Sequence, residues 1–416
     1  MAIPFTNGAS LAEVYRRMRA EGVAGVARRL AYELYHRLDA QRLELSIAEQ
    51  DLCDPSDVEA PRLAGNIREG APRVGWICTA PGPGSGGHTT LFRMADGLAD
   101  FGMRSVIYLY DPRGGDLARH ERVIRENWPW LRADVRTVES GFDAMDAVVA
   151  SSWETAHVLA RRSAEARRRL YFVQDYEPYF YPRGSLSALA DMSYRFGFRT
   201  LALGAMVHDQ LRVLGIPSDE VPWGRDAGVY SLRSEGARSG VVFYAKPGND
   251  RRGYLLGKLA LQEFHRMRPD QPIHVFGGNI VDWSIPVVNH GRLPPSQLNR
   301  LYNEVVGGLA LSFTNVSLVA DEMLAAGAIP VINDNPLARA DLDHPDAKWA
   351  YPSPSSLAEA LCAVVDDPNV DARAARAAAF IRPGWDTAQK RVASIILDEL
   401  DELAPKSSSR PAGVSS

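Results

Sequence analysis

The sequence predicts an α/β protein built from two doubly wound Rossmann-like domains facing a cleft, with an N-terminal helical arm. Three observations carry this. From Val74 onward, short apolar runs alternate with helix-period stretches, the pattern of a parallel sheet wrapped by helices. A second series of the same kind begins at Val241, after the Gly/Ser/Arg-rich stretch 222–240. The first strand, Val74 to Cys78, runs into a turn holding Gly82, Gly84, Gly86 and Gly87, followed by Thr89-Thr90 and an amphipathic helix. Strand, glycine loop and helix start together form an anion-binding device, because free backbone N–H groups and the helix dipole point at one place.

Residues 1–50 form the arm. Its helix, over residues 11–42, carries Arg16, Arg17, Arg19, Arg28, Arg29, Arg37 and Arg42 among apolar positions such as Leu11, Val26, Leu30 and Leu34. A basic amphipathic helix suits the anionic face of a membrane, or a packed helix with a solvated arginine side. Residues 50–72 are rich in Pro, Asp, Gly and Ala and read as a linker.

The first Rossmann-like domain spans 73–225, with further strands at Val106–Tyr110, Ala147–Ser151, Tyr171–Val173 and Thr200–Leu203. Helical patterns cover Leu91–Phe101 and Thr155–Arg168. The second domain spans 238–382. Its strands fall at Val241–Ala245, Ile273–Phe276, Gly308–Phe313 and Ile329–Ile332, its helices at Leu255–Arg266, Pro295–Val305 and Val319–Ala326. A last helix occupies 383–404, and the Ser/Pro/Ala-rich tail 405–416 reads as disordered.

Composition narrows the function. The 416 residues are 46% hydrophobic and 24% charged, typical of a soluble globular protein. A net charge of −4 argues against nucleic acid as a partner, since phosphate-backbone binding needs a basic excess. Cys53, Cys78 and Cys362 are isolated, which fits a reducing compartment and no structural zinc. No run is long enough to span a bilayer and no signal-peptide core opens the chain, so the expectation is a cytoplasmic protein, with the arm offering contact to the inner membrane face.

Gly82, Gly84 and Gly87 spell G-x-G-x-x-G, and Asp111 follows the second strand where a nicotinamide ribose acid would sit. A dehydrogenase is therefore one reading. Pro81, Pro83 and His88 fit it poorly, because that fingerprint calls for none of them. The second half carries other chemistry. The loop Phe243-Tyr244-Ala245-Lys246-Pro247-Gly248-Asn249-Asp250-Arg251-Arg252-Gly253 places Lys246, Arg251 and Arg252 at a strand's carboxyl end, where fixed cations suit a diphosphate. Gly277 follows another strand in Phe276-Gly277-Gly278-Asn279, a turn permitting close backbone approach, either to a nucleobase or simply in a tight turn. Glu322 sits in an otherwise apolar helix and can accept two hydrogen bonds from ribose hydroxyls. In the first half, Asp175 follows a strand end, where it can orient a hydroxyl, act as base or cap a turn. His88 can bind a sugar hydroxyl or phosphate, or cap its helix. Asp341-Leu342-Asp343 reads as a surface turn.

The stretch from Leu311 to Val331 resembles the signature of the family 4 glycosyltransferases of GT-B fold. That signature has two glutamates separated by seven residues, a small-residue turn and Pro-Val. Glu322, Gly327, Pro330 and Val331 match it, while Thr314 stands where the first glutamate would be. The glycine loop ending in His88 and Pro222-Trp223-Gly224-Arg225-Asp226 match the family elsewhere. Tyr171-Phe172-Val173-Gln174-Asp175-Tyr176-Glu177-Pro178, the 243–252 loop and the basic arm look like the WsaF-like rhamnosyltransferases.

The resemblance implies a hexosyltransferase with an N-terminal acceptor domain and a C-terminal donor domain. It implies a dTDP-sugar donor, dTDP-L-rhamnose, a glycan or polysaccharide acceptor that can be lipid-linked, and transfer with retention. Asp175, Lys246 and His88 then take the catalytic roles. Gly86, Gly87, Lys246, Arg251, Arg252, Gly277, Thr314, Asn315 and Glu322 form the donor site. No cofactor or metal is expected, because lysine and arginine neutralise the diphosphate. A nucleotide-sugar epimerase stays open as an alternative beside the dehydrogenase.

Overall fold

The computed structural model describes residues 11–40, 45–60, 70–162, 168–226, 228–233, 236–278, 280, 283–316, 318–380 and 383–401. The chain divides into a unit of residues 1–52 with 112–114, and a larger unit of 53–111 with 115–416. The smaller unit is dominated by the helix Leu11–Arg37. Gly22 breaks it with φ 67° and ψ 179°, angles no helix contains. The arm is therefore two helical pieces and not one continuous amphipathic helix. In the second piece Val23, Leu30, Leu34 and Leu38 recur at seven, four and four residues, so they share one side, and all four are exposed.

The larger unit holds two parallel sheets, as expected. The first is built from β1 (Arg73–Thr79), β2 (Arg104–Tyr110), β3 (Asp134–Thr137), β4 (Ala147–Ala150), β5 (Arg168–Val173), β6 (Arg199–Leu203) and β7 (Ser218–Val221), in the order β3-β2-β1-β4-β5-β6-β7. The second is built from β8 (Val241–Tyr244), β9 (Ile273–Phe276), β10 (Val288–Asn289), β11 (Gly307–Leu309), β12 (Ile329–Asn333) and β13 (Lys348–Ala350), in the order β10-β9-β8-β11-β12-β13. Central strands such as β4 and β12 are buried along their whole length because helices cover both faces.

Two expected elements differ. The strand expected over Gly308–Phe313 ends at Leu309. Beyond it the Asn333 side chain replaces the strand ladder, accepting from Ser312 N–H at 2.8 Å and donating to the Ser312 carbonyl at 2.7 Å. The helix expected over Thr155–Arg168 covers Trp153–Arg162, and Arg168 already opens β5. The expected disordered tail, 405–416, lies outside the described residues.

Each sheet has its own core. The last helix, Trp385–Asp401, belongs to the first one: Val392, Ile395, Ile396 and Leu400 pack with Trp76, Leu91 and Leu98. The chain thus returns to its N-terminal domain after completing the second. Arg225 N–H donates to the Pro383 carbonyl at 3.1 Å where the two crossing segments pass. Burying each aliphatic side chain there is worth about 1.5–3 kcal/mol, so the returning helix ties the domains together firmly.

Candidate functional site

Open α/β sheets bind ligands outside the carboxyl ends of their strands, where strand order reverses. The reversals fall between β1 and β4 in the first sheet and between β8 and β11 in the second. Loops from both places line one cleft of about 520 Å³. Gly84 to His88 follow β1, Ser151 and Ser152 follow β4, and Gln174 and Asp175 follow β5. Lys246, Asn249, Arg251 and Arg252 follow β8, and Asn315 to Glu322 follow β11.

The helix Gly86–Gly97 begins at the cleft wall, so its unsatisfied first N–H groups lie at Gly86 and Gly87. A Cβ on Gly86 would meet nothing within 4 Å, which is the open space of the cleft. Of the four loop glycines only Gly84 has positive φ, 73°, so only there does the turn itself demand glycine. Ser85 caps the helix, and its hydroxyl lies 2.7 Å from His88 Nδ1. His88 Nε2 lies 3.0 Å from the Thr79 carbonyl. A carbonyl only accepts, so Nε2 carries the proton and Nδ1 accepts from Ser85. Burial lowers the His88 pKa, against the opposing pull of Thr79, which keeps the ring neutral. Both ring nitrogens are spent on the loop, so His88 shapes the glycine turn and has no lone pair left for a substrate proton.

The cations of the β8 loop differ in their surroundings. Lys246 is exposed at the cleft edge. Arg252 donates to Ser312 Oγ at 2.8 Å. Burial, with Arg251 beside it, pushes the Arg252 pKa down to about 10, so it remains a cation at neutral pH but an under-solvated one. Arg251 stacks over Phe180, 4.4 Å from the ring centre, and pairs with Asp175 Oδ2 at 2.8 Å.

Asp175 is buried, and both its oxygens are occupied. Oδ2 accepts from Arg251 and, at 2.8 Å, from Thr314 Oγ1. Oδ1 accepts from Tyr176 N–H at 2.9 Å and Asn315 N–H at 3.3 Å. Asn315 Nδ2 donates to the Gln174 carbonyl at 2.9 Å. Thr314, where the resembled signature has a glutamate, thus meets a carboxylate reaching across from the first domain. Thr314 itself is buried behind the cleft wall, while Asn315 lines it.

Glu322 lines the cleft from the helix Leu318–Ala325. Desolvation, followed by the charges of Asp226 and Asp321, raises its pKa to about 8, and the Tyr230 hydroxyl hydrogen-bonds the carboxyl. At neutral pH it is largely protonated. Asp226 is itself paired with Arg93 of the first domain at 2.5 Å. Arg93 also stands 5.1 Å above the Trp385 ring. An acid, a cation and an aromatic ring therefore meet beside Glu322.

Residues 136–205 match the family described as WsaF, N-terminal domain, and residues 239–362 match WsaF, C-terminal domain. Both domains of the WsaF family are thus matched within one chain, on a GT-B fold. The O-antigen biosynthesis protein RfbC of Myxococcus xanthus is 31% identical over 370 residues, which is 83% of this chain and 28% of RfbC. The chain thus spans little more than a quarter of that relative's length. Anabaena Alr3699/HepE, solved in complex with UDP and glucose, shares the fold with a TM-score of 0.60 at 14% identity, covering 79% of this chain and 99% of HepE. A glycosyltransferase from Rickettsia africae aligns with a TM-score of 0.54 at 11% identity, over 81% of this chain and 100% of that one.

Within the WsaF-like cleft, one expected ligand contact is corrected. Gly277 does not line the cleft, and its N–H donates to the Gly291 carbonyl at 2.8 Å. Its φ of 109° and a Cβ position 2.5 Å from the Tyr244 ring explain the glycine structurally. Asp341 is likewise no surface turn: it is buried, and Oδ1 accepts from Met206 N–H at 3.3 Å near the start of a helix. Asp111, read above as a nicotinamide ribose acid, pairs with His120 at 3.0 Å. The sequence reading missed Tyr230, Trp223, Tyr244 and Phe180 on the cleft wall. Their aromatic character gave no signal, since the same residues fill cores. Ser85 was legible in principle, from a serine three positions before His88 at a helix start.

Proposed function

We propose that the cleft transfers L-rhamnose from dTDP-L-rhamnose to a glycan or polysaccharide acceptor, with retention. The observation that carries this is the convergence of Lys246, Arg252, the Gly86-Gly87 helix start and Glu322 on one cleft between two domains. Cations and backbone N–H groups suit a diphosphate, and the carboxyl suits ribose hydroxyls. The rhamnosyl donor is what the resemblance to the WsaF-like rhamnosyltransferases implies, and the named role of RfbC supports an O-antigen-type acceptor. HepE, with UDP and glucose bound, supports a nucleoside diphosphate lying in the same fold's cleft.

In this reading the bond from the anomeric carbon to the diphosphate oxygen breaks, and the leaving diphosphate keeps the electron pair. Lys246 and Arg252 stabilise the charge that grows on it, without a divalent metal. The acceptor hydroxyl oxygen bonds to the anomeric carbon, and Asp175 takes its proton. Thr314 in place of a glutamate suits a deoxy sugar, because it leaves no carboxylate of its own waiting for a hydroxyl. His88 holds the glycine turn in shape.

The arm supports membrane contact. The exposed side made by Val23, Leu30, Leu34 and Leu38, with Arg28, Arg29 and Arg37 on the same helical piece, suits an anionic leaflet. Among the described residues, no helix is long and apolar enough to cross a membrane.

NMR of the full chain with dTDP-L-rhamnose and a rhamnose-terminated oligosaccharide tests the proposal. The expected result is dTDP release with a new glycosidic linkage of the donor's anomeric configuration. The same assay with UDP-glucose replaces the donor if only that sugar is transferred. Conversion of the nucleotide sugar alone, without acceptor, would make the protein an epimerase.

A further inference from the structure

We propose that Asp175 and Arg251 form an exchange switch, in which the donor's diphosphate draws Arg251 away and so frees the Asp175 carboxylate for the acceptor hydroxyl. This rests on the reading of the cleft as a donor site. It adds an order of events that the site residues alone do not state.

Asp175 carries four hydrogen bonds. A carboxylate has about four acceptor positions, so no place remains on it for an incoming hydroxyl. A group so saturated cannot act as base. Three of the four donors come from the second domain: Arg251, Thr314 and the Asn315 backbone. Of these only Arg251 is a cation on a loop that lines the cleft, and it is half-exposed there.

Arg251 is held by three partners: Asp175, the Phe180 ring and, at 3.5 Å, Thr314 Oγ1. Phe180 stacks on its face, which leaves the guanidinium edges available for hydrogen bonds. One edge is used by Asp175. Arg252 lies beside it, and like charge between neighbours favours any arrangement that brings in more negative charge. A diphosphate carries two to three negative charges against one on Asp175, and arginine pairs bidentately with phosphate. The guanidinium therefore has a stronger partner once the donor arrives, and a short rotation on the Phe180 face suffices to reach it.

Two consequences follow. Before the donor binds, Asp175 is neutralised and holds the two domains together at the floor of the cleft, so the acceptor finds no base. After it binds, Asp175 Oδ2 is released within about one guanidinium's width of the leaving group. A base so placed sits on the leaving-group face of the sugar. The acceptor hydroxyl it orients attacks from that face, its proton goes to Asp175, and the diphosphate departs with the electron pair of the broken bond. Retention follows from the position of the base.

The test is dTDP binding by calorimetry in the wild type and three variants. In D175N the competitor for Arg251 is gone, so dTDP binds about five- to twenty-fold more tightly, the competing ion pair being hydrogen-bonded and largely desolvated. Transfer in the same variant falls by about 10²–10⁴-fold, the range for removal of a general base. A residue that only supported the fold would weaken both. In R251Q dTDP binds more weakly, and D175N/R251Q equals R251Q, because the tightening acts through Arg251. D175S also removes the carboxylate and must show the same tightening, which covers the case of D175N failing to fold. Unchanged or weaker dTDP binding in D175N and D175S overturns the switch, as does tightening that persists in the R251Q background. Failure of the wild type to bind any nucleoside diphosphate would instead overturn the donor-site reading on which the switch rests.

Discussion

Glu322 should make nucleotide binding depend on pH, and the structure sets the size of the effect. Its carboxyl is pushed up to about 8, against 4.5 in a free chain, chiefly because it is desolvated and faces Asp226 and Asp321. If the ionised form is the one that accepts the ribose hydroxyls, only about one molecule in eleven is competent at pH 7 and about ten in eleven at pH 9. The apparent Kd for dTDP should therefore fall about tenfold between pH 7 and pH 9 and then level off. Binding at pH 7 should release about 0.9 proton, read from calorimetry in buffers of different ionisation enthalpy. The second phosphate pKa lies near 6, so the ligand's own charge hardly changes in this window. E322Q should bind more weakly at pH 9 and show a flat profile. The same shift has a stability counterpart. A raised acid keeps its proton in the folded state and loses it in the unfolded chain, so stability falls as pH rises from 4.5 toward 8. E322Q should not show that decline. A wild-type Kd that is flat or rises from pH 7 to 9, or a slope that survives in E322Q, would refute the reasoning.

Five further outcomes are expected. If Arg252 stands beside the leaving group as proposed, R252A should lose about 10²–10³-fold in kcat, because such a cation acts chiefly in the transition state, and K246A should lose activity with an unchanged melting temperature. Dialysis against EDTA should leave transfer rates unchanged, checked by the same NMR assay, if Lys246 and Arg252 take the neutralising role proposed for them. G277A should be destabilised by about 2–4 kcal/mol in urea unfolding, from a left-handed backbone angle combined with a clash on the Tyr244 ring. The pair L30E and L34E should reduce co-sedimentation with anionic vesicles by about tenfold while leaving dTDP binding unchanged.

The architecture was legible because its signals are local. β1, β2 and β5 each contain a continuous apolar run, and alternation with helix-period stretches implies a parallel sheet whatever the ligand. The edge strands were not legible. Asp134–Thr137 and Ser218–Val221 are polar because one side faces solvent, and Val288–Asn289 is too short to carry a pattern. The end of β11 was misplaced because the Asn333 amide, twenty-one residues away, takes over its ladder, and no local pattern records that. Individual cleft residues were legible where a charge breaks the local pattern, as with Lys246 and Arg252 in a loop and Glu322 in an otherwise apolar helix. Their partners were not. That Asp175 meets Thr314 and Arg251, or that Asp226 meets Arg93, depends on how two domains face each other. His88 shows the same limit from the other side: its position at a helix start was plain, but its commitment to Ser85 and Thr79 is a matter of tertiary geometry.

The most direct test of the central claim is the melting temperature of the purified chain and of R252A, measured with dTDP, dTDP-L-rhamnose, UDP, UDP-glucose, GDP-mannose, NAD and NADP. A ligand that binds only the folded state raises the transition by mass action. The account predicts stabilisation of the wild type by dTDP and dTDP-L-rhamnose, none by NAD or NADP, and a much smaller shift in R252A. Stabilisation by NAD or NADP alone, or by no nucleotide at all, would contradict it.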